Sequence, residues 1–376
     1  MRNTAIALSC AFMMSTIAHA ESSIALYGTV DNGFNFTSNA GGHNGYGMVS
    51  ADAAPSMWGF KGTEDLGGGM SAIMQLEDGF DINSGKSLYG GLFGRQAFMG
   101  LSSTRAGTLT IGRQYDAMVD AWSIFTAAGS TMGDLAAHIF DNDNADYSYR
   151  YNNAVKYVSP SFLGLQAEAA YAFSNATGFA NNRAYSGSVS YANGPVSTAV
   201  AYSHQTNGGT TLSGAVSSDL AFVAAAQSNV GVGVKYTFSN ASNVSLAYSH
   251  VSFDSPTGGI YITDVGSAAW TSWKFDNVEL NGQYFFAPDV WLAASYTFTH
   301  ARLQRAADGF SPNWHQAALM LDYDLSKRTS VYLQGAFQHN NARTGTGFDN
   351  AYIVGSMAPS TTGNQTVVRL GLIHRF

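Results

Sequence analysis

Residues 366–376 read TVVRLGLIHRF. Val368, Leu370, Leu372 and Phe376 fall on one parity and Arg369 and Arg375 on the other, with His374 the one polar residue on the apolar side. Successive side chains of a strand point to opposite faces, so this segment has one greasy face and one basic face. A soluble sheet would keep the basic face in water. A membrane barrel would put the greasy face in lipid and the arginines in an aqueous lumen.

The same period of two runs along the chain. In SIALYGTVDNGFNF (23–36), Ile24, Leu26, Val30, Phe34 and Phe36 oppose Tyr27, Thr29, Asp31 and Asn35. VWLAASYTFTH (290–300) sets Val290, Leu292, Tyr296 and Phe298 against Ser295, Thr297 and Thr299. SVYLQGAFQH (330–339) sets Val331, Leu333 and Phe337 against Tyr332, Gln334 and Gln338. A helical period would scatter these sets. Seven short turns (64–69, 103–107, 159–164, 192–195, 239–242, 287–289 and 325–328) alternate with eight longer polar stretches (about 38–47, 82–91, 115–148, 175–183, 207–228, 254–272, 303–312 and 341–363), which predicts sixteen strands. Tight turns at one end and long loops at the other are the pattern of an all-β, antiparallel transmembrane barrel with short periplasmic turns and long extracellular loops. The polar faces call for water, leaving lipid for the apolar ones, and closure removes the strand edges that hydrocarbon would not tolerate. Tyr27, Trp58, Tyr157, Tyr171, Tyr191, Tyr236, Tyr248, Tyr284, Tyr296 and Trp291 lie mostly near strand ends, where amphipathic rings favour the headgroup level.

Composition fits this reading. Of 376 residues, 45% are hydrophobic and 11% charged, against about 25% charged in soluble domains. The one compact apolar run, AIALSCAFMMSTIAHA (5–20), follows Arg2 and ends in Ala18-His19-Ala20, so residues 1–20 read as a cleaved secretory signal peptide and 21–376 as the barrel domain. Cleavage would remove Cys10, the single cysteine, leaving no disulfide to form. Without Arg2, 18 basic residues become 17 against 25 acidic, a net of −8, so no basic footprint for nucleic acid exists.

Five segments, SSIALYGTVDNGF (22–34), SMWGFKGTEDLGGGMSAIMQLEDGF (56–80), LFGRQAFMGLSS (92–103), GTLTIGRQYD (107–116) and YNNAVKYVSPSFLGLQ (151–166), occur in the order seen in the general porins of Gram-negative outer membranes, and the chain resembles that family along its whole length. The resemblance implies a homotrimer of sixteen-stranded barrels, each narrowed by a third loop folded into the lumen and set among outer-membrane lipid and lipopolysaccharide. It implies that Phe376 is part of the signal read by the barrel-assembly machinery. It also implies a basic wall at the constriction from Arg95 (FGRQ), Arg113 (GRQY) and Arg150 (YRYNN), with Lys61 (GFKG) on the lumen face by its parity with Gly59.

Arg113 shares its parity with Leu109 and Ile111, so that strand does not sort cleanly; Arg150, Asn152 and Lys156 share a face opposite Tyr151, Val155 and Tyr157. The third loop holds Asp116, Asp120, Asp134, Asp141, Asp143 and Asp146. Asp120 best matches the family's acid near the loop start, and Asp116 and Asp134 are the further constriction acids. Family members commonly carry a base before Trp-Gly, where this chain has Met57, which weakens the wall and leaves a weak cation preference at least as natural as an anion one. The run DNDNADYSYR (141–150) resembles the start of a calcium loop but lacks its glycine and closing glutamate. No HxxxH, HExxH or GxSxG pattern occurs, so no metal, cofactor or catalytic residue is assigned. The expected function is passive diffusion of small hydrophilic solutes and ions. The alternatives are a channel biased to organic anions or small peptides, a barrel enzyme, or a secreted soluble β-protein.

Overall fold

Alternation of side chains produces a single antiparallel sheet that closes on itself. The computed structural model describes residues 22–211, 213–216, 222–262 and 264–376; the expected signal segment 1–20 lies outside the described residues. The sixteen strands are β1 (Ser22–Ala40), β2 (His43–Ser50, resumed at Met57–Gly67), β3 (Met70–Asp81), β4 (Gln96–Ser103), β5 (Gly107–Gln114), β6 (Tyr151–Val158), β7 (Leu165–Ala172) and β8 (Ala184–Asn193), then β9 (Val196–Thr206), β10 (Ala226–Thr237), β11 (Asn243–Asp254), β12 (Trp270–Ala287), β13 (Val290–Arg305), β14 (Asn313–Ser326), β15 (Thr329–Asn340) and β16 (Asn364–Arg375). Each pairs with its sequence neighbours, and β1 also pairs with β16 from Thr29↔Arg375 to Thr37↔Val367, which closes the barrel.

The last strand settles the opening ambiguity. Leu370 is 62% exposed and Val368 and Leu372 are also exposed, whereas Arg369 is fully buried. Leu319, Leu321 and Leu333 on β14 and β15 are exposed outward in the same way, opposite inward Gln316, Gln334 and Gln338. Exposed rings crowd the short-turn end, among them Tyr157, Phe162, Tyr236, Phe238, Tyr284 and Phe286. They form the girdle expected at a membrane interface. Tyr27 and Trp291 do not belong to it. Tyr27 donates inward to Glu77 Oε2 at 2.8 Å, and Trp291 lines an inner cavity.

Several expectations change in detail. The first extracellular connection, expected over 38–47, is a tight hairpin at Gly41 (φ 60) and Gly42 (φ 95), with β1 and β2 paired to Ala40↔His43. Tyr151, expected to face outward, is buried. Pairing of β5 with β6 slips between Gly112 and Gln114, Asn153 takes φ 52, and the extra residue turns Tyr151 inward against Tyr149. The inner faces are also less wet than expected. Trp270, Trp273 and Trp314 point inward from β12 and β14 into a buried aromatic cluster with Phe140, Phe253 and Phe348.

The wall is uneven in height. Strands β4 to β7 have 8 residues each, whereas β12 has 18 and β13 has 16.

Candidate functional site

Two elements enter the barrel. The first is the loop between β5 and β6, residues 115–150, which folds inward as short helical turns (Met118–Trp122, Ser123–Phe125, Ala128–Met132, Gly133–Ala136 and Ile139–Asp141). Its seat is prepared by small inward residues. In β10 the run Val230-Gly-Val-Gly-Val234 turns its valines outward and its glycines inward. A Cβ on Gly231 would come within 2.6 Å of the Trp122 ring and one on Gly233 within 2.4 Å of Phe125, so only glycine leaves room for them. Ala199, Ala201 and Ala247 complete the socket.

Wall side chains then satisfy the loop backbone. Ser245 and Asn281 donate to the Phe125 carbonyl (2.7 and 2.8 Å), Gln334 to that of Met132 (2.7 Å) and Gln316 to that of Ala137 (2.9 Å), while Glu279 accepts from the Ala127 amide (2.7 Å). His138 is clamped between Asp143 (2.6 Å) and Glu279 (3.0 Å), all three fully buried. Burial alone would lower its pKa, but the two carboxylates outweigh burial and raise it to about 10.

The second element is segment 51–56, which interrupts β2. Asp31 accepts from the Ala53 and Ala54 amides (2.8 and 3.1 Å) and draws the segment inward. Arg369 bridges Asp31 (3.0 Å) and Asp52 (3.2 Å) and donates to Tyr332 at 2.5 Å. The two elements meet where the Asp134 amide donates to the Asp52 carbonyl (2.7 Å); Gly133 passes there with φ 59, and a Cβ would lie 2.0 Å from that oxygen.

Three adjoining cavities run past this meeting point. An outer one of about 910 Å³ is lined by Leu92, Phe93, Arg113, Asp134, Asp146 and Tyr261, among others. An inner one of about 550 Å³ includes Trp291, Asp322, Lys327 and Arg375. Between them lies a narrow one of about 180 Å³, bounded by segment 51–56, Tyr89 and Arg95 on one side and Ala128, Asp134, Asp146 and Tyr147 on the other. Tyr89, Asp134, Asp146 and Tyr147 also line the outer cavity, and Ala53, Ala54, Pro55, Ala128 and Tyr147 the inner one. The narrow cavity is the eyelet of the barrel.

The residues singled out by sequence are distributed around this path. Arg95 lines the eyelet and is paired through Nε with Glu77 Oε1 at 2.7 Å. Arg150 lies fully buried behind it, donating to the Tyr115 hydroxyl at 3.0 Å. Arg113 stands opposite the β6 bulge, donates to the Gly94 carbonyl at 2.7 Å and to Asn152, and lines the outer cavity. Lys61 sits over the Tyr27 ring at 4.6 Å on the exposed lower part of β2 and does not line the eyelet.

Among the acids, Asp134 lines the eyelet. Asp120 is bound to Lys156 on the wall. Asp116 is fully buried, accepting from the Met118 amide (2.7 Å) and Asn144 (2.9 Å), and burial raises its carboxyl to about 6. Asp141 and Asp143, from the calcium-like run, are occupied by loop amides, Ser249 and His138. Phe376 pairs its backbone with Gly28 in both directions (3.1 and 3.0 Å), and its ring lies where a Cβ on Gly28 would stand.

Three contributors were not singled out from sequence. Asp146 lines the eyelet beside Asp134, and burial together with the neighbouring carboxylates raises both acids well above the ordinary range. Glu77 neutralises Arg95, and its parity with Gln75 on β3 was the available signal. Tyr89 comes from the Gly-rich loop 82–95, which has no period to read.

Comparison with known proteins agrees with this architecture. A profile of the Gram-negative porin family matches residues 4–343. An outer membrane porin protein of Bordetella pertussis is 30% identical over 91% of this chain and 95% of its own length. Outer membrane porin protein 32 of Delftia acidovorans is 29% identical over the full length of both. Among solved structures, an anion-selective porin from Comamonas acidovorans superposes with a TM-score of 0.71 at 26% identity, covering 95% of this chain and all of that one. With its sixteen-stranded barrel, its lipid-facing belt and its loop-narrowed lumen, the chain belongs to the Gram-negative porin family of the outer membrane.

Proposed function

We propose that the protein is a general-diffusion porin that passes small hydrophilic solutes and ions with weak charge preference. The observation that carries this reading is the row of three adjoining cavities, with an eyelet of about 180 Å³ at its centre that carries Arg95, Asp134 and Asp146. The charge balance there supports weak selectivity. Arg95 is compensated by Glu77, Arg150 is covered, Met57 supplies no charge, and burial holds Asp134 and Asp146 toward their neutral forms. A transverse field needs uncompensated charges across the gap, and few remain. The relative described as anion-selective therefore differs from this chain in the preference proposed here.

The experiment is conductance of the purified trimer in a planar bilayer under asymmetric salt. Step-wise insertions with a reversal potential near zero are expected, and a folded preparation without steps would remove the channel reading. Met57 pairs opposite Gly79, the glycine against which Tyr89 and Arg95 pack. Met57→Arg is therefore expected to move the reversal potential toward anions.

The assembly proposed is a homotrimer joined through the low wall. A strand of 8 residues rises about 26 Å along its own axis, and tilt shortens its vertical reach below the roughly 25 Å apolar band of such barrels. Exposed Met99, Leu101, Leu109 and Ile111 on β4 and β5 would then be covered by a neighbouring copy. Lipid and lipopolysaccharide are proposed for the taller faces, export by the 1–20 segment, and recognition of Phe376 by the barrel-assembly machinery.

A further inference from the structure

Arg150 is an expensive residue as it stands. Its guanidinium is fully buried and donates from Nη2 to Tyr115, while Nε and Nη1 have no hydrogen-bond partner among the described residues. A buried charge with idle donors is costly unless something anionic or aqueous can reach it. Tyr89 stands over it. The ring centroid lies 3.9 Å from the guanidinium carbon of Arg150 and 6.0 Å from that of Arg95, and Tyr89 lines both the outer cavity and the eyelet. The aromatic face stabilises the covered cation and keeps solutes in the pore from touching it.

The ring is mounted on a glycine-rich turn. Tyr89 has φ 59, and Gly90 and Gly91 follow with φ 87 and 151, so the ring hangs from consecutive left-handed positions. It rests against Gly79, where a Cβ would come within 2.8 Å of the ring edge and 3.1 Å of Arg95 Cδ. The glycine on β3 thus provides the seat, and a single methyl group would deny it.

We propose that Tyr89 is a specificity-determining shutter, whose ring hides Arg150 from the pore and, when it swings aside, opens a station for oxyanionic groups on Arg150 and Arg95. Carboxylates and phosphates share the chemistry a guanidinium recognises, namely paired anionic oxygens. The inference rests on the channel reading. Open-channel conductance tests that reading, whereas reversal potential and block test the shutter.

The measurement is the reversal potential of the purified protein in planar bilayers, for the wild type and four variants, followed by addition of inorganic phosphate or citrate to one side. Tyr89→Gly, which keeps the backbone conformation, is expected to raise the anion-to-cation permeability ratio about twofold, as one cation newly within reach of passing anions would. Tyr89→Phe retains the ring and should behave as wild type. Gly79→Ala keeps the tyrosine but displaces it, and should shift in the same direction as Tyr89→Gly. If Tyr89→Gly fails to assemble, Gly79→Ala carries the same reading. Adding Arg150→Gln should abolish the shift. Current block by phosphate alone, citrate alone or both in Tyr89→Gly would support the station and identify its ligand, and block by neither would overturn it. An unchanged permeability ratio in Tyr89→Gly, or a shift that survives Arg150→Gln, would overturn the shutter.

Discussion

Asp134 and Asp146 both line the eyelet, and burial together with each other's negative charge holds both carboxyls toward their protonated forms. Both titrate above the ordinary 3.8 in the folded protein. The protonated pair therefore contributes stability that is full in acid and lost as pH rises through the raised values. Burial and Asp143 also push the neighbouring Asp141 up to about 7. As pH rises through the raised values of Asp134 and Asp146 the eyelet should gain negative charge, moving the reversal potential toward cations. Asp134→Asn removes one of the two neighbouring carboxyls and should flatten that movement. A wild-type reversal potential that does not move toward cations at any pH above the ordinary carboxylate range would contradict the raised values. Of this chemistry, Arg95 was legible from its motif, whereas Lys61, assigned to the wall by its parity, lies outside the eyelet. The Asp134–Asp146 pair was not, because the two are twelve positions apart in a loop whose path the period of two does not describe.

The inward loop is an element held by what the wall lacks in bulk and supplies in polarity. Gly231 and Gly233 make room for Trp122 and Phe125, and the His138 clamp fixes the loop's far limb. The folded imidazole titrates at about 10, above its ordinary 6.5, so the clamp contributes fully below 6.5 and is lost as pH rises through 10. Channel noise should accordingly increase as pH passes 10. His138→Leu should produce that noise at neutral pH. It should also destabilise the fold by about 3–5 kcal/mol, because Asp143 and Glu279 would remain buried without their cation; an unchanged thermal midpoint would argue against the clamp. Alternation and turn spacing made the strands readable, since the strands share one pleat except where the β5–β6 register slips. The loop obeys no such rule, yet the GVGV run advertised a notch on one face of β10, which sequence reasoning left unused.

Across the whole molecule, wall height separates the face proposed for subunit contact from the faces proposed for lipid. A charge at the bilayer midplane of a lipid face costs about 2–4 kcal/mol, so Leu319→Arg on β14 should lower barrel stability while leaving trimers intact. Met99→Arg on β4 should instead release monomers, resolved by semi-native electrophoresis without boiling. Trimers that persist in Met99→Arg would place the contact elsewhere. Sixteen strands and their closure were legible because lipid and water impose opposite demands on alternate residues. Wall height was only partly so, because bulges such as that at Asn153 shorten strands without disturbing composition.

Arg369 joins Asp31 and Asp52 across sequence separations of 338 and 317 residues. It therefore ties segment 51–56 to a strand that leaves the ribosome after nearly everything else. Until the first and last strands are sewn together, Asp31 and Asp52 have no shared cation, and the inward bend rests on contacts such as those from the Ala53 and Ala54 amides to Asp31. Completing the seam therefore also fastens one side of the gauge.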